Sequence, residues 1–329
     1  MKIYYLCPDY PIPSWGIGII YHHVAILNEN GFEAYIVHQN EGFKVPWINL
    51  NVPVLYKNKL IYYDDDIMIV PEVMAGTFDY KSIKARKIVF IQNLSLIYRD
   101  YPLQLTHKQQ GFKAAFTYMP HMKKPVEKYL KLPVYSINPL IAPYFFVDEK
   151  RLHKREKLIL LYPKFQQAEY LVIRKIIAES TVLKQDKLSG HKNNNQWRLV
   201  ELQGLTHEQV AAVMKKAMFF ICTNTFESFN ASVPEAMAAG CINICYEAFG
   251  PRDYLKNEKN AFVFPNNEPF LLVEKLNDLI INFETNKELL YNMRIEAMKT
   301  ASLYTREIMA NDILNFYSSI AQGKELFNN

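Results

Sequence analysis

The sequence predicts an α/β fold made of two doubly wound domains, and three observations carry that reading. Apolar runs of strand length recur between segments of helical periodicity, at residues 2–7, 34–38, 67–70, 87–91, 112–118, 158–162, 199–202, 218–222 and 242–246. The first of them leads through a loop and a helix into the second, the opening of a doubly wound domain. The chain has 329 residues, half of them apolar and 14% aromatic, which is too long for one ordinary core and rich enough for two. The expected division is 1–152 and 153–305, with 306–329 as a separate C-terminal helix.

Charge and cysteines narrow the setting. The net charge of +5 is mild; it suits an anionic substrate or a membrane surface without demanding nucleic acid. Cys7, Cys222, Cys241 and Cys245 form no CxxC pair and lie in or beside apolar runs, which reads as buried thiols in a reducing compartment. The chain opens directly into a strand with no signal-peptide pattern, and no apolar run approaches the roughly 18 residues of a spanning helix. The expectation is a cytoplasmic protein, with room for peripheral contact at the inner face of a membrane.

In the first domain, residues 8–18 read as a loop rich in proline, glycine and aromatics. Ile19, Ile20, His23, Val24 and Leu27 then recur at helical spacing, and Asn30-Gly31 ends that helix. Of His22 and His23, one faces the core and the other solvent or a cleft. Gly16-Ile17-Gly18 is either a tight turn or part of a phosphate-cradling loop. Asp64-Asp65-Asp66 invites a metal reading, but these acids precede a strand and so lie at its amino end, away from where ligands collect. Gln92-Asn93 stand at the carboxyl end of the strand at 87–91. Residues 122–131 read as a basic, solvated surface helix rather than a membrane anchor. Pro133, Pro139 and Pro143 stiffen the crossing to a charge run at 148–157.

In the second domain, Pro163-Lys164 follows the strand at 158–162, and 181–196 reads as a polar loop. Gly204-Leu205 leads into Thr206-His207-Glu208-Gln209, a capping box, with Val210, Val213, Met214 and Ala217 on one helix face. After the strand at 218–222 comes a polar loop, 223–232. A short helix follows, with Pro234 in its first turn and Gly240 at its end, and then the strand at 242–246. Glu227 and Glu235 sit in this loop and helix start. On spacing alone, Glu235 is equally a helix-start acid stabilised by about 0.3–1 kcal/mol, and Glu227 a solvated loop residue. Helices at 269–281, 287–301 and 305–322 complete the chain.

The stretch Glu-Ser-Phe-Asn-Ala-Ser-Val-Pro-Glu-Ala-Met-Ala-Ala-Gly, residues 227–240, resembles the donor-sugar motif of the retaining, GT-B-fold glycosyltransferases of family 4, "group 1". Members typically read E-G-F-G-L-x-x-(L/P)-E-A-M-A-x-G. Glu227, Phe229, Pro234, Glu235, Ala236, Met237, Ala238 and Gly240 match, while Ser228 and Asn230 replace the two glycines. The resemblance implies two Rossmann-like domains facing across a cleft, with the last helix crossing back to the first. It implies retaining transfer of a hexose, glucose as first guess, from a UDP-linked donor to a glycan or lipid-linked acceptor in surface or exopolysaccharide synthesis. No cofactor, metal or nucleic acid is implied.

By the same resemblance Glu235 binds the ribose hydroxyls, and Glu227 a hydroxyl of the donor sugar. Ser228, Phe229, Asn230 and Ala231 line the sugar and phosphates, and the turn Gly204-Leu205-Thr206 carries the base. Lys164 stands where relatives place an arginine on the diphosphate. The family's second cation is missing: Gln166, Gln167 and Glu169 occupy its neighbourhood, leaving Arg174 as a substitute. Gly18 takes the first glycine of the family's phosphate loop, with Ile19 at the second. Gln92 and Asn93 stand where many relatives carry a histidine. These departures keep a second reading open, a catalytically weak member that binds nucleotide or a partner enzyme. A nucleotide-sugar epimerase is a third.

Overall fold

The computed structural model describes residues 1–163, 167–180 and 196–321. The chain divides into two compact units, Met1–Leu140 together with the chain from Glu307, and Ile141–Arg306. No helix among the described residues is long and apolar enough to cross a membrane.

The first unit runs β1 (Ile3–Leu6), α1 (Trp15–Glu29), β2 (Ala34–His38), β3 (Val54–Tyr56), β4 (Ile67–Pro71), α2 (Glu72–Ala75), β5 (Arg86–Ile91), β6 (Phe112–Thr117), α3 (Pro120–Leu130) and β7 (Val134–Ser136). Its strands form a parallel sheet in the order β3-β2-β1-β4-β5-β6-β7, with Tyr5 opposite Ile36 on one side and Ile69 on the other. Central strands of a parallel sheet are covered on both faces, so β1, β4 and β5 read as apolar runs instead of alternating. His23 is the core histidine. Its Nδ1 meets the Tyr5 hydroxyl at 3.2 Å and its ring stacks on Phe90; burial, then His22, pushes its pKa down to about 3. The Asp66 carboxylate accepts the backbone N–H groups of Lys2 (2.8 Å) and Tyr63 (3.0 Å), which ties the amino ends of β1 and β4.

The second unit runs β8 (Leu158–Leu161), α4 (Gln167–Glu179), β9 (Arg198–Glu201), α5 (His207–Met214), β10 (Phe219–Cys222), α6 (Ser232–Ala238), β11 (Ile242–Tyr246), β12 (Phe262–Phe264), α7 (Pro269–Ile281) and α8 (Lys287–Ala301). The sheet is again parallel, in the order β12-β11-β10-β8-β9. Ile159, Phe219, Ile221, Ile244, Leu276 and Met293 are among the side chains of its core. All four cysteines are buried free thiols. The polar segment expected at 181–196 lies, apart from Gln196, outside the described residues.

The division falls after Leu140 rather than near 152. Residues 141–152 are bonded into the second unit: Val147 N–H donates to the Ala238 carbonyl at 3.2 Å, and Arg294 Nη1 to the Leu152 carbonyl at 3.1 Å. The last helix, α9 (Arg306–Ala321), packs in the first unit from Glu307 on. Asp312 Oδ2 accepts both the backbone and side-chain N–H of Asn138 at 2.8 Å, Phe316 packs edge-on against Phe116, and the Tyr317 hydroxyl meets that of Tyr5 at 3.0 Å.

Candidate functional site

Strand order marks where the second unit's candidate site falls. From β8 the chain moves outward to β9, then returns to β10 on the other side of β8, so the order reverses between β8 and β10. Ligands of open parallel sheets bind at such a reversal, beyond the carboxyl ends of the strands. The β10–α6 loop and the β9–α5 turn both leave from that edge.

Asparagines shape the β10–α6 loop. Asn224 Nδ2 donates to Glu227 Oε2 at 3.0 Å, and Asn224 Oδ1 accepts the Phe226 N–H at 3.0 Å. Asn230 has φ +54°, the left-handed region that explains a glycine in the related motif. Asparagine tolerates it here because its side chain is bonded locally. Nδ2 donates to the Asn224 carbonyl at 3.1 Å, and Oδ1 accepts the Ser232 hydroxyl at 2.9 Å. Ser228 and Phe229 are buried, and Ala231 is half-buried just before α6. The Phe229 ring meets Tyr254 and Tyr304, and the Tyr254 hydroxyl donates to the Phe229 carbonyl at 2.7 Å. Gly250 backs this loop: a Cβ there would stand 2.2 Å from the Glu227 carbonyl oxygen.

The β9–α5 turn faces α6. Gly204 has φ +70°, Leu205 is exposed, and Thr206 caps α5 in a full capping box with Gln209. The next residue, His207, carries a contact the sequence reading missed. Its Nε2 lies 2.8 Å from Glu235 Oε1, and its Nδ1 lies 2.6 Å from the Tyr144 hydroxyl. Phe145 packs edge-on to the same ring at 4.8 Å. Burial opposes a charge on His207, but the hydrogen bond and charge of Glu235, joined by Glu208, raise its pKa above the ordinary histidine value. Glu235 itself is only 6% exposed, so its carboxylate is a buried acid with a named partner.

Two arginines, half-buried Arg155 and buried Arg294, fix the far ends of these helices. Arg155 Nη2 donates to the Ala239 carbonyl at 2.6 Å and Nη1 to the Met214 carbonyl at 3.1 Å; Arg294 Nε donates to the Gly240 carbonyl at 2.7 Å. They satisfy carbonyls that α5 and α6 leave open, where the helix dipoles favour positive charge.

Lys164, expected on the diphosphate, lies outside the described residues, as does Gln166. Arg174 is not a spare cation: its Nε pairs with Glu201, which also accepts the Tyr170 hydroxyl. In the first unit, Gly18 corrects the expected loop. It lies inside α1, which begins at Trp15; its N–H donates to the Ser14 carbonyl at 3.1 Å, and of the surrounding side chains a Cβ there would meet Trp47 at 3.8 Å. The helix starts early because Trp15 is anchored, its indole N–H donating to the Leu140 carbonyl at 3.2 Å.

Gln92 and Asn93 do stand at the carboxyl end of β5. Gln92 Nε2 donates to the Gly16 carbonyl at 3.0 Å, and Asn93 Oδ1 accepts the Ser95 N–H. Beneath them, buried Glu72 accepts their backbone N–H groups at 3.2 and 2.9 Å; burial raises its pKa to about 7, with the backbone bonds from Gln92 and Asn93 resisting. Thus Thr206, Glu227, Asn230 and Glu235 gather at the second unit's strand edge, and Gln92 and Asn93 belong to the first unit's own.

The family model for "Glycosyl transferases group 1" matches residues 146–296. An alpha-1,6-glucosyltransferase of Actinobacillus pleuropneumoniae serotype 7 (strain AP76) is 30% identical over 247 residues, 72% of this chain and 69% of the relative. Among solved structures, a glycosyltransferase from Rickettsia africae ESF-5 superposes with a TM-score of 0.68 at 12% identity over 98% of each chain. Anabaena HepE, in complex with UDP, gives 0.67 at 11% identity, covering 97% of this chain and 100% of that one. Two parallel α/β units and these likenesses define a glycosyltransferase of the GT-B fold. The chain belongs to the glycosyl transferases group 1 family.

Proposed function

We propose that the protein is a retaining, metal-independent glucosyltransferase. It takes UDP-glucose as donor and a glycan or lipid-linked glycan as acceptor, on the cytoplasmic side of surface polysaccharide synthesis and in peripheral contact with the membrane. The observation that carries this reading is the buried Glu235 carboxylate, held by His207 at the strand-order reversal of the second unit. Glucose is supported by the relative's name, which specifies glucosyl transfer with an alpha linkage. UDP-glucose is itself α-linked, so an α-product requires retention.

Glu235 accepts the ribose hydroxyls, since a carboxylate can take two hydroxyl hydrogens. Glu227, oriented by Asn224, accepts a hydroxyl of the glucose. The bond from the anomeric carbon to the diphosphate oxygen breaks, and a bond to the acceptor oxygen forms on the same face. The acceptor's proton passes to the departing diphosphate. Lys164 stabilises the charge growing there.

The test is to incubate the protein with UDP-glucose and oligosaccharide or lipid-linked acceptors, with EDTA present, and read the anomeric configuration by NMR. An α-glucoside is the expected product. A β-glucoside, or no product until a divalent metal is restored, would overturn the reading. The engagement of Arg174 by Glu201 favours one rival, a member that binds nucleotide without transfer; UDP binding with no turnover on any acceptor would select it.

A further inference from the structure

We infer that His207, oriented by Tyr144, is a positioning residue for Glu235, and that donor affinity falls when its ring gains a proton. The inference rests on the reading of Glu235 as the ribose-binding acid.

The ring is held from three sides. Tyr144 and Phe145 face it from the turn at Pro143–Phe145, Glu235 faces it from α6, and Glu208 is its neighbour on α5. An ionised carboxylate only accepts, so Nε2 at 2.8 Å from Glu235 Oε1 must carry a hydrogen. In the neutral ring the other nitrogen then accepts, and the Tyr144 hydroxyl 2.6 Å away donates to it. Tyr144 thereby fixes the tautomer that keeps Nε2–H on Glu235. This neutral arrangement orients the carboxylate while leaving it a net charge and most of its lone pairs for ribose hydroxyls.

A second proton changes the balance. The imidazolium pairs with Glu235 as a full charge and draws on the oxygens that the ribose needs. Binding of ribose and binding of the proton therefore oppose one another, and by reciprocity the donor must favour the neutral ring. The His207 side chain is 46% exposed, so solvent reaches it and screening keeps the coupling at the low end of the usual range. Burial works against the charge, but Glu235 and Glu208 outweigh it, so the ring gains its second proton on the alkaline side of the ordinary histidine value.

The test is calorimetric titration with UDP-glucose across the range from about pH 5.5 to about pH 8. Both phosphates of this ligand are esterified, so it does not itself titrate there. The wild type should bind about fivefold more tightly at the alkaline end, and His207→Gln, whose amide still donates to Glu235, should bind with a flat profile. A flat wild-type profile, or a step that survives in His207→Gln, overturns the inference alone. Absence of wild-type binding at every pH overturns the donor reading and the inference with it. If His207→Gln does not fold, Tyr144→Phe serves in its place: a displaced midpoint supports the inference, and an unmoved one overturns it.

Discussion

The Asn224 side-chain amide donates to Glu227 at 3.0 Å, and the same amide's oxygen anchors the turn at Phe226. Asn224 thus links the shape of the loop to the direction of the acid. Asn224→Ala should lower kcat about tenfold, the scale of one bond to a charged group, while UDP affinity changes less than about twofold. Paired kcat and Kd measurements check this. Equal losses in both would assign Asn224 to the fold of the loop alone.

Asn230 occupies left-handed backbone at the position of a glycine in the motif its loop resembles. Asn230→Ala keeps that conformation and forfeits the bonds to Asn224 and Ser232, so it should destabilise by about 2–4 kcal/mol. Asn230→Gly relieves the backbone and should lose less. Urea unfolding ranks the two; a smaller loss for alanine than for glycine would contradict this account.

The motif region was legible because its physics is local. Residues 218–222 and 242–246 read as strands and fold as Phe219–Cys222 and Ile242–Tyr246, and the capping box at Thr206 forms as read. What escaped reading depends on residues far apart in the chain. His207 and Glu235 are 28 residues apart and meet because β9 and β10 lie on either side of β8. The available signal was a histidine following the cap on a turn at a strand's carboxyl end. Arg174 read as a spare cation because nothing nearby in sequence reveals Glu201. Edge strands such as Val54–Tyr56 and Val134–Ser136 are too short to announce themselves.

Arg294 lies on α8, where it is 4% exposed and donates to the Gly240 and Leu152 carbonyls. Burial, then nearby Arg155, lowers its pKa to about 10. Arg294→Met leaves two buried carbonyls without that donor and should cost about 2–4 kcal/mol in denaturant unfolding. An unchanged midpoint would mean that water or a neighbour replaces the guanidinium.

Glu72 should make stability depend on pH. Its folded pKa of about 7 lies above the usual 4.5, so between those values the folded state holds a proton that the unfolded chain has released. Its contribution is therefore neutral below the lower value and grows more unfavourable as pH rises. Above the upper value it levels off at a cost on the order of 3 kcal/mol. Subtracting the Glu72→Gln profile from that of the wild type should give this falling step. Parallel profiles would show that Glu72 ionises normally in the fold.

The most direct test of the central claim is calorimetric titration of UDP into the wild type and Glu235→Ala, with EDTA in both. If Glu235 holds the ribose, the wild type binds without metal and the variant binds at least about tenfold more weakly. Equal affinity in the two proteins would contradict the assignment on which the donor site is built.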